Sequence, residues 1–517
     1  MRFPFPLAAV ATVQASVSWA AFVSVNTTSG LLRGLETNGL LTFKGIRFAH
    51  PPTGPLRWEP PAPFTSTTLQ NTGSFGPSCV QKFSVGAIYE QLFNTPPLPE
   101  SEDCLFLNVW APVPTEQKLP VLIWIYGGGL AFGAARDPEY DGASIASNKH
   151  IVVVSFNYRM NVFGFPGSAD LPLDGNNLGF LDQELAFKWV QQNIACFGGD
   201  PQRVTIVGQS AGSLSVSAAI SRHSSSSAPF RAAIMLSLAQ VSTPPTPSFV
   251  LFDSLASALG CTQAPGATQL ACLRKVPASA IRTFTNGPSS GFFGPRVDNL
   301  TFFSDPLQRI RTGLTARVPF IIGNTQDDGT LSSFNMTDLA AFLVTIFGSF
   351  PTADEVRSLY PSGLNDNAII SEAIRDFGNL CPAGLWAGAA VGAGVADVYR
   401  YTYGPIFADN QPFPNAGAWH SSELPEIFGT FNHSTATSSE VELSHTMQTL
   451  IANFVKDPSV PPAPHWPKYV PGNTTTTLAR LAYEGNVALG NVVQVAESDS
   501  VDGPCDALWN QILDIRV

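Results

Sequence analysis

The sequence predicts an α/β fold: a doubly wound, mostly parallel central sheet with an N-terminal β extension and helical insertions. Two observations carry this expectation. From about Val121 the chain shows short continuous apolar runs, rich in Val and Ile and bounded by Gly, Pro or Asn. Strands buried on both faces of a parallel sheet read this way. Between the runs lie stretches with apolar residues at helical spacing, and strands that alternate with helices specify a sheet covered on both sides.

In chain order, residues 1–20 read as a signal peptide. Arg2 supplies the n-region charge, Leu7 to Val13 form a short apolar segment, and Ser18 and Ala20 are small residues suited to cleavage after Ala20. Cleavage after Ala15 is the alternative. The part up to Thr115 is rich in Pro and Thr and reads as the β extension. The buried strands are expected at Val121 to Ile125, Ile151 to Val154, Val204 to Val207, Ile234 to Leu236 and Phe320 to Ile322. Leu181, Leu185, Trp189 and Ile194 mark one face of a helix, and Ser213 to Ser221 reads as another. Residues 240–317 and 331–397 are Pro- and Gly-punctuated insertions with helical stretches. Length alone suggests about three domains at ~150 residues each. With no internal repeat and no low-complexity linker, a single domain over residues 21–517 fits better.

Composition removes several classes of function. Only 13% of residues are charged, against about 25% in typical chains, which excludes an intrinsically disordered protein. The net charge is −11 and no basic block occurs, so no nucleic-acid partner is expected. No later stretch reaches the roughly 18 apolar residues of a membrane span, so no transmembrane anchor is expected. The longest candidate, Leu385 to Ala396, is mostly Ala and Gly. Asn-x-Ser/Thr sequons stand at Asn26, Asn299, Asn335, Asn432 and Asn473, candidate glycosylation sites in a secreted chain. The seven cysteines contain no Cys-x-x-Cys pair, which removes a zinc ribbon and a thioredoxin-like motif. Cys196 falls in the amphipathic helical pattern and is expected to be a buried free thiol.

The most informative stretch is Val204-Thr-Ile-Val-Gly-Gln-Ser-Ala-Gly-Ser213, which holds Gly-x-Ser-x-Gly at Gly208, Ser210 and Gly212. A bare match is weak, and an ordinary strand–turn–helix is the alternative. The β-branched strand before it and the small-residue helix after it are what a nucleophile elbow needs. A serine nucleophile also requires a base, an orienting acid and donors for the oxyanion. Gly127-Gly128-Gly129 follows a strand directly and suits close approach of backbone N–H groups. A phosphate loop is the rival, but Gly127-x-Gly129-x-x-x-Gly133 misses the dinucleotide spacing and no Gly-Lys-Ser/Thr follows.

Further motifs carry a resemblance. They are Glu102-Asp-Cys-Leu-Phe-Leu-Asn-Val109, Gly208-Gln-Ser-Ala-Gly212, Phe43-Lys-Gly-Ile-Arg-Phe-Ala-His-Pro-Pro52, Phe156-Asn-Tyr-Arg159, Asn193-Ile-Ala-Cys-Phe-Gly-Gly-Asp-Pro201, Asn453-Phe-Val-Lys-Asp-Pro458 and Trp466-Pro467. On these residues, which span nearly the whole mature chain, the sequence resembles the type-B carboxylesterase/lipase family, cholinesterase-like and of the α/β-hydrolase fold. The resemblance implies Ser210 as nucleophile, with Gly128, Gly129 and Ala211 supplying the oxyanion N–H groups. It implies His420 as base, through the match of Gly417-Ala-Trp-His420 to the family's Gly-x-x-His. His50, His150, His223, His433, His445 and His465 match no such context.

Two departures stand out. Where the family places a glutamate after a strand, this chain has Asp328, one methylene shorter, beside Asp327; a mere turn-capping role for either is the alternative. Gln209 replaces the family's usual glutamate before the serine, which removes an anion and disfavours a cationic substrate. The likeness also pairs Cys79 with Cys104, Cys261 with Cys272 and Cys381 with Cys505, leaving Cys196 free. Its first bridge closes a loop, Val80 to Asp103, that forms a lid or pocket wall in the family. That loop has no tryptophan to hold a quaternary ammonium, which argues against choline esters. It has Phe83, Ile88, Tyr89, Leu92 and Phe93 instead; Phe132 follows the glycines, and Phe292 and Phe293 lie in an insertion. These suit an apolar acyl or aromatic group, with core packing the alternative for each.

The expected function is therefore a secreted, extracellular serine hydrolase that cleaves carboxylic esters through an acyl-enzyme, with a small-molecule or lipid ester as its partner. The resemblance implies no metal and no cofactor. Lipase and soluble-ester esterase both stay open, as does activity on hydroxycinnamates. The rivals are an acyltransferase on the same triad and a catalytically silent adhesion protein; retention of the serine, the histidine and an acid speaks against the latter.

Overall fold

The computed structural model describes residues 20–83, 87–93, 96–238, 249–287, 290–472 and 474–516. Nearly all of the signal segment and the Asn473 sequon lie outside the described residues. Among these, thirteen strands form one sheet. β1 (Ala21–Thr27), β2 (Gly30–Thr37), β3 (Leu40–Arg47) and β5 (Phe106–Pro112) run antiparallel as the expected N-terminal extension, with β4 (Leu69–Asn71) alongside β2. β5 hands over to the parallel heart, in the spatial order β7 (Val152–Phe156), β6 (Leu119–Ile125), β8 (Gly199–Gln209), β9 (Ala232–Leu236), β10 (Phe320–Thr325), β11 (Val398–Tyr403) and β12 (Leu478–Leu481). The antiparallel β13 (Val493–Ala496) closes the far edge.

The apolar runs fall in β6 to β10, and every residue of β7, β9 and β10 is buried. Their side chains have protein on both faces, which removes any need for polar alternation. Helix Ala211–Arg222 packs on β8 and β9, helix Ser438–Lys456 on β6 and β8, and helix Cys381–Gly392 on β10 and β11. β11 reads Val-Tyr-Arg-Tyr-Thr-Tyr and gives no apolar run, yet all six residues are buried. Its Arg400 is neutralised by Asp502, whose carboxylate accepts from both terminal guanidinium nitrogens at 2.5 and 2.6 Å.

The helix at Leu178–Asn193 forms as expected, but its buried face differs in part. Trp189 is buried, while Leu181 and Leu185 are only half-buried. Asp182 and Gln183 take the interior instead, where Arg159 donates to the Asp182 carboxylate and Gln183 Nε2 donates to Ser215 Oγ. That helix ends before Cys196, which sits in a 3₁₀ turn, Ile194–Phe197, and is exposed rather than buried. A tight turn after a helix end has no inward face at each position, so the helical pattern does not extend to it.

Disulfides join Cys79 to Cys104, Cys261 to Cys272 and Cys381 to Cys505. The segment around Cys104 shows why its charges are there. Glu102 accepts from Arg57 at 2.5 and 2.7 Å, and Asp103 accepts from Arg47 at 2.5 and 2.8 Å. Bidentate pairs of this kind fix loop geometry as well as charge.

Candidate active site

β8 ends at Gln209, and the next residue, Ser210, has φ 56° and ψ −123°, a conformation that costs a non-glycine residue energy. The surroundings enforce it. The Ser210 N–H donates to the Leu236 carbonyl at 2.9 Å, which ties the turn to β9. A Cβ on Gly212 would stand 1.9 Å from the Ile125 carbonyl oxygen, and one on Gly208 would stand 2.3 Å from Gly212. Only glycine lets strand, turn and helix close this tightly. The result holds the serine hydroxyl at the start of helix Ala211–Arg222, above the sheet.

The glycine run leaves β6 through Tyr126, whose ring stacks on Tyr158 at 4.6 Å. Gly128 has φ +96° and its carbonyl accepts from Ala131 and Phe132, so the chain doubles back at once. A Cβ there would meet the Phe132 carbonyl at 2.2 Å. Among the described residues, the N–H groups of Gly128, Gly129 and Ala211 donate to no protein acceptor. Such unused donors beside a hydroxyl can receive a developing oxyanion.

The third component comes from the turn after β10. Asp328 is 1% exposed, and its Oδ1 meets Nδ1 of His420. Its Oδ2 accepts from Ser237 Oγ at 2.8 Å and from the Thr325 N–H at 3.2 Å. A carboxylate only accepts, so Nδ1 of His420 carries the proton and Nε2 presents a lone pair. Asp327 points elsewhere, and its Oδ2 accepts from the Ala418 N–H at 2.8 Å. Gly417, with φ +73°, lets the histidine loop lie against that carboxylate, since a Cβ would stand 2.4 Å from it.

The electrostatics follow from burial. Burial by itself lowers the His420 pKa, but the Asp328 carboxylate, with Glu423 adding to it, outweighs this and raises it above 6.5. Glu423 is fully buried and neither of its carboxyl oxygens has a hydrogen-bond partner. Burial, and then the Asp328 charge, push its pKa up to about 8, so it is neutral at pH 7. Asp328 is therefore the charge that holds the imidazole.

Ser210, His420, Gly128 and Gly129 line one cavity of about 260 Å³. Tyr89, Phe93 and Phe132 form its apolar wall. The other expected wall residues lie elsewhere. Phe83 stacks behind Phe132 at 5.1 Å, Ile88 and Leu92 pack near Leu331 and Trp419, Phe293 is buried in a separate cluster around Trp58, and Phe292 is about half exposed. Asn26, Asn299, Asn335 and Asn432 are exposed. No three His, Cys, Asp or Glu side chains among the described residues group to hold a metal ion.

Sequence reasoning missed two contacts. Ser237, which follows β9 with φ 49°, braces Asp328 from 91 positions away, and nothing local in the sequence signals it. Gln209 Nε2 lies 3.2 Å from His420 Nε2, so the residue read only as a lost charge is a direct neighbour of the base.

Comparison with known proteins shows the family. The carboxylesterase family profile matches residues 21–379. The chain is 32% identical to chlorogenic acid esterase of Aspergillus niger over 93% of each chain. It is 38% identical to secreted lipase 1 of Botryotinia fuckeliana over 60% of each. Among solved structures, a PNB esterase superposes with a TM-score of 0.77 at 29% identity, covering 94% of this chain and 99% of its own.

Proposed function

The chain belongs to the carboxylesterase family of carboxylic-ester hydrolases, and we propose that it cleaves its ester through an acyl-enzyme on Ser210. One observation carries this: a strained serine, the histidine of a His–Asp pair and the unused backbone donors of Gly128 and Gly129 line a single cavity. Ser210 Oγ attacks the ester carbonyl while His420 Nε2 takes its proton. The N–H groups of Gly128, Gly129 and Ala211 hold the oxyanion. Asp328 keeps Nδ1 protonated and steadies the imidazolium. His420 then protonates the leaving alcohol, and water, activated by the same nitrogen, releases the acid.

The cavity is about 260 Å³. Short-chain or aromatic acids match that volume and the Tyr89, Phe93 and Phe132 wall. The likeness to a chlorogenic acid esterase supports hydroxycinnamate esters as candidates within this class. Three disulfides, the exposed sequons and the likeness to a secreted lipase support secretion, and no described helix is long and apolar enough to cross a membrane. We read residues 21–517 as one hydrolase domain around this sheet.

A fluorophosphonate probe should label Ser210, and p-nitrophenyl acetate, butyrate and hydroxycinnamates should outpace palmitate with or without emulsified triglyceride. No labelling of folded protein, or labelling elsewhere, overturns the mechanism. Because Asp328 outweighs burial at His420, kcat/KM should rise with pH around a midpoint above 6.5. A midpoint at or below 6.5 contradicts the His–Asp coupling. Added short alcohols should not divert the acyl group; their esters as main products would favour acyl transfer.

A further inference from the structure

We propose that Gln209 is a positioning residue that keeps the resting His420 neutral by donating to Nε2, and cedes that lone pair to Ser210 when an ester enters. The inference rests on the hydrolase reading above and deepens it. Nδ1–H is committed to Asp328, so the imidazole has one lone pair left, on Nε2. The Gln209 amide nitrogen occupies it at 3.2 Å. Among the described residues, no hydrogen bond joins Ser210 Oγ to His420. Two donors therefore compete for one acceptor, and in this state the amide has it.

The amide is held there by its surroundings. Gln209 is 2% exposed, and a Cβ on Gly127 would stand 2.8 Å from its Oε1. The amide oxygen thus packs on the bare Cα of Gly127 while the nitrogen faces the imidazole. Asp328 acts on the ring in the opposite sense. Asp328 meets it from the turn after β10, and Glu423 stands in its own turn. Tyr401 of β11 lies close to both carboxyls, and Asp137, Tyr89 and Tyr140 line the same cavity. Burial keeps Glu423 and the tyrosines neutral at pH 7, so Asp328 is the anion in contact with the ring and draws a proton onto it, whereas an N–H donor favours the unprotonated Nε2. A glutamate at this position could only accept, and would hold the imidazolium. A neutral amide does not hold it: once the ring has taken the Ser210 proton, Nε2–H is free to donate to the leaving alcohol. No net proton is gained or lost in the exchange.

The test compares wild type with Gln209→Glu and Gln209→Met. Nitrogen NMR of the folded enzymes follows the His420 titration without turnover, and fluorophosphonate labelling at pH 9 reports Ser210 with the ring neutral. Gln209→Glu should raise the titration midpoint by about one unit or more. Gln209→Met, which can neither donate nor accept, should raise it less. It should also label Ser210 roughly tenfold faster, since the rival donor is gone. An unmoved midpoint in Gln209→Glu, or labelling of Gln209→Met no faster than wild type, overturns the proposal. Failure of wild type to label at all refutes the hydrolase reading instead, and the NMR titration still decides the role of Gln209.

Discussion

The turn that carries Ser210 and the two loops that carry Asp328 and His420 face the same cavity, yet different forces hold them. The serine turn is built by steric closure. Gly208, Gly212 and the Ile125 carbonyl leave no room for any side chain, and no charge is involved. The acid and base loops are built by polar contacts. Asp328 is braced by Ser237 and Thr325, Asp327 by Ala418, and Glu423 is buried with no partner. Steric closure is indifferent to pH and intolerant of one added methyl group. A polar scaffold accepts isosteric change but answers to protons.

The sharpest break between them comes from single substitutions. Gly212→Ala puts a methyl 1.9 Å from a carbonyl oxygen in the core, so it should abolish labelling of Ser210 and lower Tm together. Asp328→Asn keeps the shape and should lose roughly three to four orders of magnitude in kcat with Tm nearly unchanged. Asp327→Asn still accepts from the Ala418 N–H and should cost no more than about tenfold. A crippled Asp327→Asn beside a mild Asp328→Asn, measured by kcat on one p-nitrophenyl ester, reverses the assignment of the acid.

Glu423 sharpens the pH side of the contrast. Its pKa is about 8 in the fold, against the usual 4.5. Its contribution to stability is therefore whole below about pH 4.5 and is lost as pH rises through about 8. Glu423→Gln cannot lose it, so calorimetry should show Tm equal to wild type at pH 4 and about 2 °C higher at pH 8. Equal values at both pH values would mean the carboxyl titrates normally. The smallest effect belongs to Cys196. It is exposed, so iodoacetamide should modify it without denaturant, with activity unchanged. Resistance of the native thiol would return it to the interior.

The same contrast explains what was legible in the sequence. The serine turn depends on residue types within five positions, and Gly208, Ser210 and Gly212 announce it. β6 to β10 announce themselves because strands covered on both faces become apolar runs. β11 does not, since Arg400 belongs there only through Asp502, 102 positions later. Asp328 could be placed only by its position after a strand and the family likeness. Ser237 was invisible, because its role exists only across 91 positions. Cys196 was misread because periodicity was carried past the end of a helix at Asn193. Local sterics leave a local record, and paired polar groups leave theirs in two places at once.

The Cys381–Cys505 bridge joins residues 124 apart and so makes the last quarter of the chain a covalent ring. His420, β11, β12 and β13 all lie within it. The exposed residues 432–435 form a surface site on that ring where a protease could cut. A single nick there would release no fragment: the two ends would stay tethered, and a non-reducing gel would show one band of unchanged mass. Only reduction would split the chain, into one piece that keeps Ser210, Asp328 and His420 together and another that carries the sheet's far edge. Durability in a protease-rich setting would then depend on the oxidation state of one bond far from the cavity.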